Sequence, residues 1–236
     1  MKKLLSKTTI IAVLICSFTF VAKSQDSYEF YKLDLGAAAG FNQVFGAAKS
    51  SPFTESLNLN LTVNPSPFFN IVFEGQFGTF EGGELNTFAN RKFASNFNAY
   101  TIRFQLQAGE LIDYDQNSVA NALKNVYIAS GIGAEFSQTT YINRINTYGI
   151  GSTSPGPNNT ADWFVPFRLG YEFKIFNKFG EPTIKIDIAE NFNLVLNNDL
   201  DGYIAKYSGT DVYSQISVGV KFAIGNHTAY RKQIYY

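Results

Sequence analysis

Two-residue alternation of apolar and polar side chains runs through most of the chain and predicts strands. It is cleanest near the end, where Val212, Ser214, Ile216, Val218, Val220, Phe222 and Ile224 share one face. Tyr213, Gln215, Ser217, Gly219, Lys221 and Ala223 share the other. Residues 163–175 repeat the pattern, with Trp163, Val165, Phe167, Leu169, Tyr171, Phe173 and Ile175 opposed to Arg168, Gly170, Glu172 and Lys174. Six further stretches, 31–41, 57–63, 69–78, 100–107, 126–136 and 184–194, behave alike and bring the expected total to eight. At about 3.3 Å per residue the longer ones reach across a bilayer as tilted strands.

The connections alternate as well. Asn64-Pro65-Ser66-Pro67 and 177–182 are short, whereas 42–55, 80–95, 138–162 and 195–210 are longer and rich in Asn, Ser, Thr and Gly. Short and long connections therefore collect at opposite ends of the strands. The run Ser118-Val119-Ala120-Asn121-Ala122-Leu123-Lys124 predicts a short helix on the short-turn side.

Composition narrows the class. The 236 residues are 45% hydrophobic and 16% charged, which suits one substantial folded domain. Phe (23), Tyr (14) and Gly (19) favour strands and tight turns and exclude an all-helical chain. With 19 basic and 19 acidic residues there is no field to attract nucleic acid.

Lys2, Lys3 and Lys7 precede an uncharged apolar run, 8–21, that ends in Ala22-Lys23-Ser24. This is the pattern of a cleaved signal peptide over 1–24, since the run is too short to span a membrane as a helix. Cys16 follows Ile15 where a lipoprotein signal wants a small residue. Cleavage removes four of the 19 basic residues and no acid, so 15 against 19 leaves a net charge of −4. It also removes the only Cys, so neither disulfides nor thiolate metal sites are expected. The expected layout is a signal peptide (1–24), a single β-barrel (25–224) and a polar tail (225–236).

An even count of amphipathic strands behind a signal peptide, with asymmetric connections, resembles the small eight-stranded outer-membrane β-barrels of Gram-negative bacteria, the OmpA/OmpX type. The spacing Ser217-x-Gly219-x-x-Phe222-x-Ile224 looks like the signal read by the barrel-assembly machinery, although it normally stands at the chain end. Residues 198–203, Asn-Asp-Leu-Asp-Gly-Tyr, resemble barrels of the Bacteroidetes lineage. The resemblance implies an all-β, up-and-down antiparallel transmembrane barrel of the cell envelope. It implies the outer membrane as location, its lipid and the assembly machinery as partners, and a monomer with an unidentified surface partner.

In such a barrel the apolar face meets lipid and the polar face fills the interior. The expected lumen charges are Lys32, Asp34, Glu74, Arg103, Glu135, Arg168, Glu172, Lys174, Lys185, Asp187 and Lys221. Their signs nearly balance, which predicts pairing across a plugged lumen. Glu190 falls on the apolar parity and is expected above the membrane or beside a bulge. No catalytic, cofactor or metal site is expected. His227, the lone histidine, lies beyond the last alternating stretch. Asn197-x-Asp199-x-Asp201-Gly202 starts like a calcium loop, but Ser208 stands at the twelfth position, so an Asx-rich turn is the better reading. The Gly-rich run 149–156 lacks the Lys and the strand-to-helix setting of a phosphate loop.

The leading expectation is thus a non-enzymatic barrel with a structural or surface-interaction role. A narrow porin-like channel or transporter for small solutes is one alternative. A soluble secreted lipocalin-like binder, with the faces reversed around a small apolar ligand, is the other.

Overall fold

The computed structural model describes residues 28–45, 51–85, 90–114, 117–145, 153, 155–197, 200–203 and 211–230. The expected signal peptide, Cys16, most of the 149–156 run, Ser208 and residues 231–236 lie outside them.

Eight strands form one closed barrel in sequential order. They are β1 (Tyr28–Phe45), β2 (Thr54–Val63), β3 (Phe69–Gly83), β4 (Lys92–Gln107), β5 (Val126–Asn143), β6 (Asn159–Phe176), β7 (Pro182–Val195) and β8 (Val212–Tyr230). Neighbours pair antiparallel throughout, and β1 closes on β8. Closure leaves the strands no open edge to satisfy. A 3-10 turn (Ala108–Glu110) and the short helix α1 (Ser118–Leu123) lie between β4 and β5, as the sequence suggests. Asn117 caps α1 by accepting from Val119 N at 2.8 Å.

The faces follow the alternation. Asp34 is 0% exposed beside Leu35 at 56%, and Ser217 is 0% exposed beside Val218 at 48%. The apolar residues form the outer belt and the polar ones fill the interior, so the reversed, lipocalin-like packing does not occur. The short connections are held by side-chain turns. Ser66 Oγ accepts from Phe69 N at 2.9 Å, and Asn177 Oδ1 accepts from Phe179 N and Glu181 N at 2.9 and 3.1 Å. In β6, Pro166 offers no N–H, and the β5–β6 ladder skips from Ser130↔Phe167 to Gly133↔Phe164.

The strands are longer than the alternation indicates. β3 extends to Gly83 and β4 begins at Lys92, so half of the expected 80–95 connection is sheet. β8 likewise continues to Tyr230, six residues past Ile224, and takes up the first half of the expected 225–236 tail. His227 therefore lies within the last strand, opposite Tyr31. Between Tyr31↔His227 and Leu33↔Ile224, β1 advances two residues and β8 three, a bulge that Gly225 accommodates at φ +84°. The extra residue inverts the parity of β8, so odd positions face outward beyond it.

Candidate functional site

The lumen has two layers. Toward the short turns, charged side chains from six strands meet in a buried network. Arg103 on β4 grips Glu74 on β3 with both terminal nitrogens, each at 2.8 Å. Arg168 on β6 lies 2.7 Å from Asp187 on β7 and 3.9 Å from Glu74. Lys221 on β8 reaches Glu172 at 2.5 Å and Asp187 at 3.4 Å, and Lys185 on β7 meets Asp34 on β1 at 2.5 Å. In these ion pairs four acids face four bases.

Neutral groups complete the network. Tyr127 OH donates to Asp187 at 2.7 Å and accepts from Arg168 Nε at 2.8 Å. Gln105 and Gln107 donate to Glu172, and Asn64 donates to Asp34. These bonds matter because a buried ion pair is costly unless its remaining lone pairs and protons are satisfied. Lys174 closes the turn-side end by donating to Pro67 O and Gln107 Oε1 at 3.0 and 2.8 Å.

Of the expected lumen charges, Asp34, Glu74, Arg103, Arg168, Glu172, Lys174, Lys185, Asp187 and Lys221 converge in this way. Glu135 is buried higher in the wall, between Ala99 and Asp162 in the sheet register. Lys32 does not join: it is exposed at the β1–β8 bulge, where the two-residue period breaks. Ser217 and Gly219 of the assembly-like signal face the lumen, and Phe222 and Ile224 face outward. A Cβ at Gly219 would stand 2.5 Å from that of Ala38, which shows how fully the interior is packed.

Toward the long loops the lumen also holds an apolar cluster, beside buried polar groups such as Asn42, Asn193 and Gln215, and the sequence reading missed that cluster. Val44, Phe80, Phe93, Phe97, Phe164, Val195 and Tyr213 form a compact core with Leu200 and Tyr203. Phe80 and Phe97 stack at 3.9 Å, and Tyr213 packs 5.0 Å from Phe80 and 5.8 Å from Phe164. The signal was present, since Phe80, Phe93 and Phe97 keep the lumen parity of Glu74 and Arg103 once β3 and β4 are extended.

Leu200 and Tyr203 come from the β7–β8 connection and cap the mouth. Asp201 Oδ1 accepts from Tyr203 N at 3.0 Å, an Asx turn in the segment that imitates a calcium loop. The Tyr203 hydroxyl lies 2.6 Å from Asn143 O and accepts from Lys92 N at 3.1 Å, tying the cap to β4 and β5. Arg91 sits 5.1 Å over its ring, and Arg144 donates to Gly202 O at 2.8 Å. Burial raises the Tyr203 hydroxyl above its usual pKa of 10.0.

Glu190 departs from expectation. It is exposed on the outer face, paired with Leu169 and Ile216 and flanked along β7 by Ile188 and Phe192. The only β6–β7 bulge among the described residues is at Ile175/Phe176, well away from it. Ser214 Oγ donates to it at 3.4 Å. A carboxylate therefore stands inside the apolar belt.

No family model and no curated protein matches the chain. Solved structures that it resembles include Neisserial surface protein A, with a TM-score of 0.47 and 9% identity over 82% of this chain and 97% of that one. Another is Ail, the attachment invasion locus protein of Yersinia pestis, in complex with the heparin analogue sucrose octasulfate (TM-score 0.42, 11% identity, 84% and 99% covered). A third is the outer membrane protein OprG of Pseudomonas aeruginosa (TM-score 0.40, 10% identity, 84% and 99% covered). The likeness to all three is one of fold, a small closed antiparallel β-barrel.

Proposed function

We propose that this protein is an integral outer-membrane barrel whose filled lumen serves as a rigid scaffold for its long loops, in a structural or surface-interaction role. One observation carries the reading: the polarity is inverted, with an apolar belt outside and a neutralised, hydrogen-bonded network inside. In water that belt would be a continuous sticky surface, whereas in a bilayer it is solvated by acyl chains. A closed ring of strands also satisfies its backbone groups without water. The short turns then face the periplasm and the long loops face outward.

The same contents argue against a conduction pathway. Ion passage needs a continuous wet path with an accessible field, and here four acids are matched to four bases beneath an aromatic layer. The barrel-assembly machinery is the partner implied during insertion, and no catalytic role is proposed.

The test is fractionation of natively expressed protein, heat-modifiability on a detergent gel, and protease treatment of intact cells. The reading expects recovery with the outer membrane, a heat-dependent mobility shift and cleavage confined to the long loops. It also expects no discrete conductance in planar bilayers. A soluble periplasmic product without the mobility shift would overturn it.

A further inference from the structure

The inversion of parity at Gly225 has a chemical consequence on the outer face of the seam where the first strand meets the last. Glu29 and Tyr31 lie on the outward parity of β1, and the bulge turns His227 of β8 onto the same face. Glu181 arrives from the β6–β7 turn. One ligand atom from each of Glu29, Glu181 and His227 lies within 4.8 Å of the others. We propose that these three residues form a binding site for a divalent transition-metal ion of the zinc class, which staples the closing seam of the barrel.

The donor set suits that ion. Zinc takes imidazole nitrogen and carboxylate oxygen at about 2.0–2.2 Å in tetrahedral geometry, so two ligands of one ion stand about 3.3–3.5 Å apart. His227 Nδ1 and Glu181 Oε1 are 3.2 Å apart, already near that separation. Glu29 offers an oxygen within 4.8 Å of both, and with three protein ligands the fourth position stays open to water.

The surroundings look like an outer coordination shell. Glu181 Oε2 accepts from Tyr31 OH at 3.0 Å and from Asn177 Nδ2 at 2.8 Å, which orients the carboxylate with Oε1 toward His227. The Tyr31 ring meets the imidazole edge-on at 6.1 Å. The His–Glu contact at 3.2 Å is joined by a second carboxylate, Glu29, whose oxygen lies within 4.8 Å of both groups. Like charges this close repel each other, and a cation between them reverses the sign of that interaction.

The location gives the ion a purpose. Among the described strands the β1–β8 pairing is the one seam between strands far apart in sequence, and an ion held by β1, β8 and the β6–β7 turn links both ends of the barrel-forming chain. Metal bound to the folded form alone shifts its equilibrium against unfolding.

The experiment is a zinc titration of the full folded chain in detergent micelles, read by competition with a chromophoric chelator. It is repeated with His227→Ala and Glu29→Gln. One ion per chain is expected, with affinity falling at least about tenfold in each variant. Zinc should also raise the temperature of the heat-induced mobility shift in the wild type, chelation should reverse this, and the variants should not respond. Both substitutions lie outside the lumen, and the mobility shift without metal verifies that each variant folds. Equal zinc binding by wild type and both variants, or no stoichiometric binding by the folded wild type, overturns the proposal. Neither result touches the outer-membrane reading, because the titration needs only the folded barrel.

Discussion

Arg103 and Glu74 form a two-pronged ion pair across the β3–β4 ladder, with both guanidinium nitrogens 2.8 Å from a carboxylate oxygen and both side chains about 2% exposed. Both side chains are shielded from bulk solvent. Arg103→Met should therefore lower stability by about 3–5 kcal/mol, because it leaves Glu74 charged and buried with Arg168 only at 3.9 Å. Arg103→Met combined with Glu74→Leu should recover most of that loss, since two apolar groups leave no charge unpaired. Urea unfolding in detergent micelles or vesicles measures both. A single variant as stable as the wild type would mean that the pair contributes nothing.

The two faces should answer oppositely to size and charge. Phe167 is outward and Ser217 is fully buried in the lumen. In the proposed bilayer, Phe167→Arg should cost about 2–4 kcal/mol, whereas Phe167→Leu should be nearly neutral. Val218→Phe only adds area to the outer belt and should also be nearly neutral. Ser217→Phe has no room beside Gly40 and Ala189, its register partners, and should cost about 1–3 kcal/mol or prevent folding. Refolding yield into vesicles separates these outcomes, and equal tolerance at 217 and 218 would refute the assignment of faces.

How far the sequence alone reveals this molecule depends on how strictly a segment obeys one rule. Where apolar residues face out and polar ones in, as from Val212 to Ile224, every face is correct and the strand order follows. The rule fails in three places for separate reasons. Above the charged layer the interior includes an apolar cluster, so Phe80, Phe93 and Phe97 blur the alternation and β3 and β4 look shorter than they are. At Gly225 one extra residue inverts parity, so His227 reads as tail although it is in the sheet. Lys32 obeys the alternation yet sits beside the same bulge, where it is exposed instead of joining the buried network. The acids and bases of the lumen were readable as a set, but not as pairs, because partners such as Asp34 and Lys185 lie 151 positions apart.

Glu190 should be a local liability for insertion. A carboxylate among Leu169, Ile188, Phe192 and Ile216 meets acyl chains in the proposed bilayer, with Ser214 as a neighbouring donor at 3.4 Å. Glu190→Leu should thus stabilise the folded state by about 1–2 kcal/mol, less than the cost of a cation at the same depth. Equilibrium unfolding from vesicles reads the difference. Unchanged or reduced stability would show that the carboxylate is compensated within the belt.

Tyr203 should govern how firmly the outer mouth is closed. Its hydroxyl contacts Asn143 and Lys92, and its ring completes the apolar layer beneath. Tyr203→Phe keeps the ring and removes the hydroxyl that joins the N–H of exposed Lys92 to the carbonyl of half-buried Asn143, a local loss of about 0.5–1.5 kcal/mol. Faster protease cleavage after the cap, with little change in global unfolding, is the expected signature. The pH dependence has a definite sign. Burial raises the folded-state pKa of Tyr203 above 10.0, so its contribution is fully present below the unfolded value and is lost as pH rises through the folded one. Alkaline solution above about pH 10 should therefore loosen the wild-type cap. The Tyr203→Phe variant, which has no hydroxyl to ionise, should lack that component. Cleavage rates with the same pH profile in both proteins would remove Tyr203 as the latch.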